Sequence, residues 1–235
     1  MIMVTVGVAL FTLNEEKNIR HCLENLLEAV KPYDNATVYV LDGNSTDKTC
    51  EISESYGVKC IIEPKRTFGA ARQKAIEAIE EDVIAFFDAD AIPEENWFKN
   101  LTEPFENENV MATSGCVTCD SFASRLILRI AFKWIAPVLF KFQIPLVSGQ
   151  VMAIRRKESL KIGFNTDFRS GEDTYIFLKL RDYGKIVHTN ACVKVSERRI
   201  EGWGFFNFII FHIRNYISLL RYEKPLEDEY EPIRD

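Results

Sequence analysis

The period of the apolar positions changes repeatedly along the first half of the chain. Val4 to Phe11 is a run of β-favouring residues. Ile19, Leu23, Leu26, Leu27 and Val30 then recur at helical spacing, and Pro32 closes that segment. Val38 to Leu41 is a second short apolar run. The stretch Asp42-Gly43-Asn44-Ser45-Thr46-Asp47 reads as a turn whose Ser and Thr can cap the helix that follows. Gly57 ends that helix, and Val58, Cys60 and Ile62 make a third strand. Thr67 is placed to cap a helix running to about Glu80. Val83 to Phe87 is a fourth strand ending in Asp88-Ala89-Asp90, and Pro93 suits the first turn of the next helix.

Strand and helix signals alternating at this spacing predict an α/β fold with a doubly wound, mostly parallel sheet flanked by helices. In such sheets ligands bind beyond the carboxyl ends of the strands. The polar clusters Thr12 to Glu15, Asp42 to Asp47 and Asp88 to Asp90 all fall at that edge. The second half is less regular. Val151 to Ile154 reads as a strand, Glu172 to Tyr183 as a helix stopped at Gly184, and Ile186 to Val195 as extended. Phe205 to Arg221 reads as a long aromatic, amphipathic helix, followed by an acidic tail after Pro225. The expected organisation is one domain over 1–200, with a first half over about 1–110 and a second half over about 111–200. Residues 201–235 would form the amphipathic helix and tail that pack on or extend it.

The 235 residues are 47% hydrophobic and 27% charged, which places the chain among globular proteins. A net charge of −6 argues against a duplex nucleic-acid binder, which needs a basic surface to neutralise phosphates. Cys22, Cys50, Cys60, Cys116, Cys119 and Cys192 are scattered, with no leader pattern ahead of them. The expectation is reduced thiols in the cytoplasm, neither secreted nor transmembrane. Cys116-x-x-Cys119 is expected as two small buried thiols, not a zinc site.

The usual phosphate cradles, G-x-G-x-x-G and G-x-x-x-x-G-K-[ST], are missing. A nucleotide on this sheet would need another counter-charge. Asp88 and Asp90 flank one residue at the end of an apolar strand, so both can face one hard cation, Mg²⁺ or Mn²⁺; a solvated acidic turn is the plainer reading. Asp42 is placed to accept from a base or ribose, or to form an Asx-turn. Lys65, Arg66 and Arg72 surround Phe68-Gly69-Ala70-Ala71, where small residues would let a ligand approach a helix start; a close-packed helix with a charged side is the alternative. Glu172-Asp173 opens a helix after Ser170-Gly171. The pair either complements the helix dipole or supplies a general base for an acceptor hydroxyl.

Taken in order, these pieces resemble family 2 glycosyltransferases, inverting enzymes of the GT-A fold. The matching stretches are Val8 to Glu16, Val40 to Thr49, Gly69-Ala70-Ala71-Arg72, Phe86 to Asp90, Ser148-Gly149, Arg155-Arg156 and Gly171 to Thr174. The resemblance implies a UDP- or GDP-sugar donor and a divalent cation. It implies Asp42 on the nucleoside, Asp88 and Asp90 at the metal and ribose, and Asp173 as catalytic base. The donor set is expected to be Thr12, Asn14, Glu15, Asp42, Gly69, Arg72 and Asp88, and the acceptor side Ser148, Gly149, Glu172 and Trp203. Leu13 stands where the family often carries an aromatic residue, and Ser196 where many members carry His.

Two further segments combine apolar and basic residues. From Ser121 to Lys157 there is no acidic residue, and Arg125, Arg129 and Lys133 fall on one helical face. The helix from Phe205 carries Arg214 and Arg221. These are either core helices or in-plane anchors on an anionic membrane that would bring the site to a glycan or lipid-linked acceptor. Rival functions are a polyprenyl-phosphate sugar synthase, whose anionic acceptor needs no base, a sugar nucleotidyltransferase, or a module that binds a nucleotide-sugar without turnover.

Overall fold

The computed structural model describes residues 4–195 and 205–225, without the side chains of residues 123, 205, 206, 208 and 209. A single eight-stranded sheet has the order β3-β2-β1-β4-β7-β6-β8-β5. The strands are β1 (Val6–Thr12), β2 (Ala36–Asp42), β3 (Lys59–Ile62), β4 (Val83–Asp88), β5 (Ile92–Pro93), β6 (Val110–Thr118), β7 (Met152–Arg155) and β8 (Lys185–Lys194). β1, β2, β3 and β4 run parallel, as do β6 and β8, whereas β7 is antiparallel to both β4 and β6. The sheet is mostly parallel, as expected, and the antiparallel β7 joins its two parallel parts.

The helices that frame the sheet follow from the connections. The turns from β1 through α1 (Ile19–Val30) to β2 and through α2 (Thr49–Ser55) to β3 move in one direction, away from β4. The chain then crosses back through α3 (Phe68–Ala78) to β4 on the other side of β1. Right-handed crossovers in opposite directions put their helices on opposite faces. α4 (Trp97–Thr102) accordingly packs with α1, while α7 (Arg156–Ile162) packs with α3 and α8 (Glu172–Leu180) packs with α7. The reversal of strand order falls at β1 and β4, which opens a crevice at their carboxyl ends.

Local expectations fared unevenly. Thr67 does cap α3, its hydroxyl accepting from the Ala70 amide at 3.2 Å. Ser45 and Thr46 do not cap α2; Asp47 accepts from the Thr49 amide at 3.0 Å instead, leaving Ser45 to Asp42. Pro93 lies in β5 opposite Val193, and α4 starts only at Trp97, after a left-handed Asn96. β6 has no alternating pattern because it is buried on both faces over nearly its whole length, so its period carried no signal.

The cysteines are a correction. Cys116 on β6 lies opposite Cys192 on β8 in the parallel register, with Cα atoms 4.6 Å apart, and the two form a disulfide. Cys50 and Cys60 form a second, with Cα atoms 5.7 Å apart. Both separations suit a disulfide. Scattered positions in sequence hid this because strand pairing, not spacing, brings the sulfurs together. Cys22 and Cys119 are buried and lie outside these two disulfides.

α5 (Phe122–Arg129), a π-helical turn (Ile130–Ile135) and α6 (Ala136–Lys141) form one continuous segment. α9 (Phe205–Tyr222) packs on α8.

Candidate active site

The crevice is lined by the loops after β1, β2 and β4. Register places Thr12 beside Asp42 and Phe11 beside Asp88, so the two carboxylates flank the end of β1. Asp42 is almost fully buried. Its Oδ2 accepts from Thr12 Oγ1 at 2.9 Å and Ser45 Oγ at 2.5 Å, and its Oδ1 accepts from the Ser45 amide at 2.7 Å. These donors compensate its burial and fix the loop that follows.

The loop after β1 is stitched to the loop after β2. Asn14 has a left-handed backbone, φ 55°, and its side chain accepts from the Thr46 amide at 2.9 Å. The Glu15 amide donates to Thr49 Oγ1 at 2.9 Å, and Arg66 donates to the carbonyls of Gly43 and Asn44. Leu13 lies against Gly43. The floor is thus rigid and polar, with an apolar patch where an aromatic residue was lacking.

Asp88 and Asp90 are half-exposed on either side of buried Ala89, in a turn closed by the Ala91 amide on the Asp88 carbonyl at 3.0 Å. Beneath them the Cys22 thiol of α1 is pushed up to about 12, first by burial and then by the negative charges of Asp90, Glu15 and Asp88. The same field favours a cation. Among the described residues, no group of three or more His, Cys, Asp or Glu side chains forms a metal cage. Two carboxylates are hard oxygen donors that would suit Mg²⁺ or Mn²⁺ beside a diphosphate. The donor set fits the ion.

The second half of the site comes from α3, α8 and the segment before β7. Arg72, 2% exposed, lies over the rings of Phe11 and Phe86, 5.1 and 4.9 Å from their centroids. Its Nε donates to Glu172 Oε1 at 2.9 Å and its Nη2 to the Gly149 carbonyl at 3.2 Å. Arg72 and Glu172 were expected on donor and acceptor; each instead holds the other in the interior.

Gly149 is wedged between two of these groups. A Cβ there would run into Arg72 Nη2 and stand 3.4 Å from Asp173 Oδ2. The next residue, Gln150, donates from Nε2 to Asp90 Oδ1 at 3.4 Å. Asp173 and Asp90 therefore both border the Gly149-Gln150 pair. Ser148 forms the turn before them, its carbonyl accepting from the Val151 amide at 3.1 Å. Burial, then the neighbouring charge of Glu172, raises the Asp173 carboxyl from its ordinary 3.8 to about 7, against the opposing pull of Arg72. That is the range a general base at neutral pH needs.

Gly69 plays another part than expected. Its amide donates to the Phe168 carbonyl, and a Cβ there would run into the Asn165 carbonyl oxygen. The small residue admits the 165–168 loop, not a ligand. Lys65 is likewise tied to that loop, 2.7 Å from Asp167. Trp203 lies outside the described residues. Gln150 and the aromatic cradle of Phe11 and Phe86 were not anticipated, since nothing local in sequence marks them.

The apolar basic segments present a distinct surface. Phe122, Leu126, Ile130, Trp134, Val138 and Phe142 recur every four residues and are all exposed, Phe122 by 74% and Trp134 by 70%. Four residues overshoot an α turn and fall short of a π turn, so the π-helical turn brings the row back onto one face. Arg125, Arg129, Lys133 and Lys141 are exposed along it. On α9, Ile210, Ile213, Ile217 and Leu220 are exposed with Arg214 and Arg221. Neither face is core. No described helix is long and apolar enough to cross a membrane.

Residues 8–164 match the family model described as glycosyl transferase family 2. A Methanococcus voltae protein named dolichyl N-acetyl-alpha-D-glucosaminyl phosphate 3-beta-D-2,3-diacetamido-2,3-dideoxy-beta-D-glucuronosyltransferase is 28% identical over 213 residues, 81% of this chain and 66% of its own length. The probable glycosyltransferase YdaM of Bacillus subtilis (strain 168) is 28% identical over 84% of this chain and 51% of its own length. The chain thus spans between about half and two thirds of these relatives. Among solved structures, the mannosyltransferase PcManGT from Pyrobaculum calidifontis, in complex with GDP-Man and Mn²⁺, superposes with a TM-score of 0.75 at 21% identity, over 96% of this chain and 66% of that one. Glucosyl-3-phosphoglycerate synthase from Mycobacterium tuberculosis, in complex with Mg²⁺ and UDP, gives 0.65 at 21% identity, over 94% of this chain and 80% of that one. Both likenesses are of the fold, the GT-A arrangement of a curled mixed sheet between helices.

Proposed function

The chain belongs to glycosyl transferase family 2, and from that premise we propose that it moves a sugar from a UDP- or GDP-sugar to an acceptor hydroxyl, inverting the anomeric carbon. The observation that carries this reading is the link from Asp173 through Gly149 and Gln150 to Asp90. It supports a base close to two carboxylates that could hold a cation, which is what a single in-line displacement requires.

In that reaction Asp173 takes the acceptor proton as the oxygen bonds to the anomeric carbon and the bond to the diphosphate breaks. Asp88 and Asp90 would hold Mg²⁺ or Mn²⁺, which would supply positive charge beside the departing diphosphate. Asp42 and the loop it organises receive the nucleoside, with Leu13 against the base. Arg72 and Glu172 hold α3 and α8 in register, and Gly149 leaves room for the Asp173 carboxylate. Relatives of the same fold carry GDP-Man or UDP, which supports either donor.

The acceptor we propose is lipid-linked, reached at a membrane surface. Two exposed apolar rows edged by Arg and Lys support an in-plane contact with anionic lipid, and the Methanococcus voltae relative is named for a dolichyl-phosphate-linked acceptor. The test is release of UDP or GDP from their sugars by purified protein, with and without Mn²⁺ and with a polyprenyl-linked glycan. Cation-dependent release that the acceptor accelerates is expected; nucleotide binding with no turnover would leave only a binding module. Near-normal turnover by Asp173→Asn would point instead to a polyprenyl-phosphate acceptor, which has no proton to give up.

A further inference from the structure

α9 meets the base-bearing helix at its first turn. Asn215 Nδ2 donates to Ser170 Oγ at 3.2 Å. A Cβ on Gly171 would stand 2.7 Å from Leu219 Cδ1, and Gly171 has φ 76°, a conformation that other residues rarely adopt. Ser170, Asn215 and Leu219 are all buried. At the far end of α8, Lys179 pairs with Glu223 at 2.6 Å. The turn that α9 grips leads directly into Glu172 and Asp173. The buried side of α9, Phe211, Asn215, Ser218 and Leu219, is thus committed to the active site, while its other side is the exposed apolar one.

We propose that α9 couples seating of its exposed face on an anionic bilayer to the setting of the catalytic base, with Asn215 and Leu219 as positioning residues that act through the Ser170-Gly171 turn. The coupling rests on the membrane reading above. The bilayer is chosen as occupant by charge: Arg214 and Arg221 border Ile210, Ile213, Ile217 and Leu220, which suits anionic headgroups over acyl chains. In water that apolar face adds nothing to the hold of α9. On a bilayer it is buried, α9 opens less often, and the turn it grips is steadier. An active site would then be best formed where its acceptor is found.

The test is amide hydrogen exchange on the full chain, with and without phosphatidylglycerol vesicles. Without vesicles, Asn215→Ala/Leu219→Ala is expected to speed exchange over 170–180 by at least about tenfold, with β1 and β4 unchanged. Leu219→Met, which keeps the volume, is expected to behave as wild type. With vesicles, wild type gains protection over both 205–222 and 170–180, and the double variant only over 205–222. Turnover should split the same way: kcat falls in the double variant while the donor KM holds. Unchanged exchange over 170–180 in the double variant overturns the proposal. Vesicles that pellet the protein without protecting 170–180 overturn the coupling and leave the membrane reading intact. Failure to pellet overturns both, and leaves the Asp173 chemistry standing.

Discussion

Arg72 and Glu172, one hundred residues apart in sequence, close on each other at 2.9 Å with side chains only 3% and 6% exposed. The pair joins α3 to α8, the helix that carries Asp173. Breaking a buried pair strands a charge in the interior, which typically costs about 3–5 kcal/mol. Arg72→Met and Glu172→Gln are each expected to lose stability on that scale, and the double variant to recover most of it. Urea unfolding of the three proteins checks this; additive losses in the double variant would mean the two charges do not compensate each other.

Asp173 gives a pH profile with a defined sign. Its folded value is raised to about 7, so the base form is lost as pH falls through that region, and kcat/KM should fall with it. Asp173→Asn should remove this limb and lower turnover by about 10²- to 10⁴-fold.

The same shift bears on folding. Between the ordinary carboxylate value and about 7 the folded chain holds a proton that the unfolded chain has released, so this group's contribution weakens stability as pH rises through that window. Asp173→Asn should be more stable than wild type above pH 7, where the wild-type native state must keep a largely desolvated carboxylate ionised. Denaturant midpoints at acid and neutral pH measure the difference.

Gln150 donates to Asp90 at 3.4 Å, and we take Asp90 as a ligand of the proposed cation. Removing a group that orients a metal ligand commonly costs about 10- to 100-fold in metal affinity. Gln150→Ala should therefore raise the Mn²⁺ concentration for half-maximal donor turnover within that range, whereas Asp90→Ala should abolish the cation dependence. Mn²⁺ titrations with UDP or GDP present read both.

Trp134 offers a direct probe of the exposed row. It is 70% exposed, whereas Trp97 is 1% exposed. Phosphatidylglycerol vesicles should shift its fluorescence to the blue, and 0.5 M salt should weaken the response because the flanking cations are screened at about 3–5 Å. Serine at Phe122, Trp134 and Phe142 together should prevent the protein from sedimenting with vesicles, with donor turnover in solution unaffected.

Local periodicity determined a good deal of this protein. β1 to β4, α1 and α3 were legible because each has one buried stripe or an unbroken apolar run, and the acidic clusters stood where the apolar runs stop. The order of those clusters also carried the family likeness. What α9 would bury was not legible, because an amphipathic helix shows that it has two faces but not which neighbour each meets.

Tertiary structure alone decided the rest. It showed that Arg72 faces Glu172, that Gly69 admits a loop, that Cys116 meets Cys192, and that Gln150 reaches Asp90. Each of these contacts joins residues 60 or more positions apart. Short-range pattern reflects the period of a helix or strand, but a contact between distant segments depends on how whole elements cross, and the antiparallel β7 and the crossover to β4 set that here. The residue types announced the chemistry; the packing of α3, α8 and α9 around one turn determined which of them could perform it.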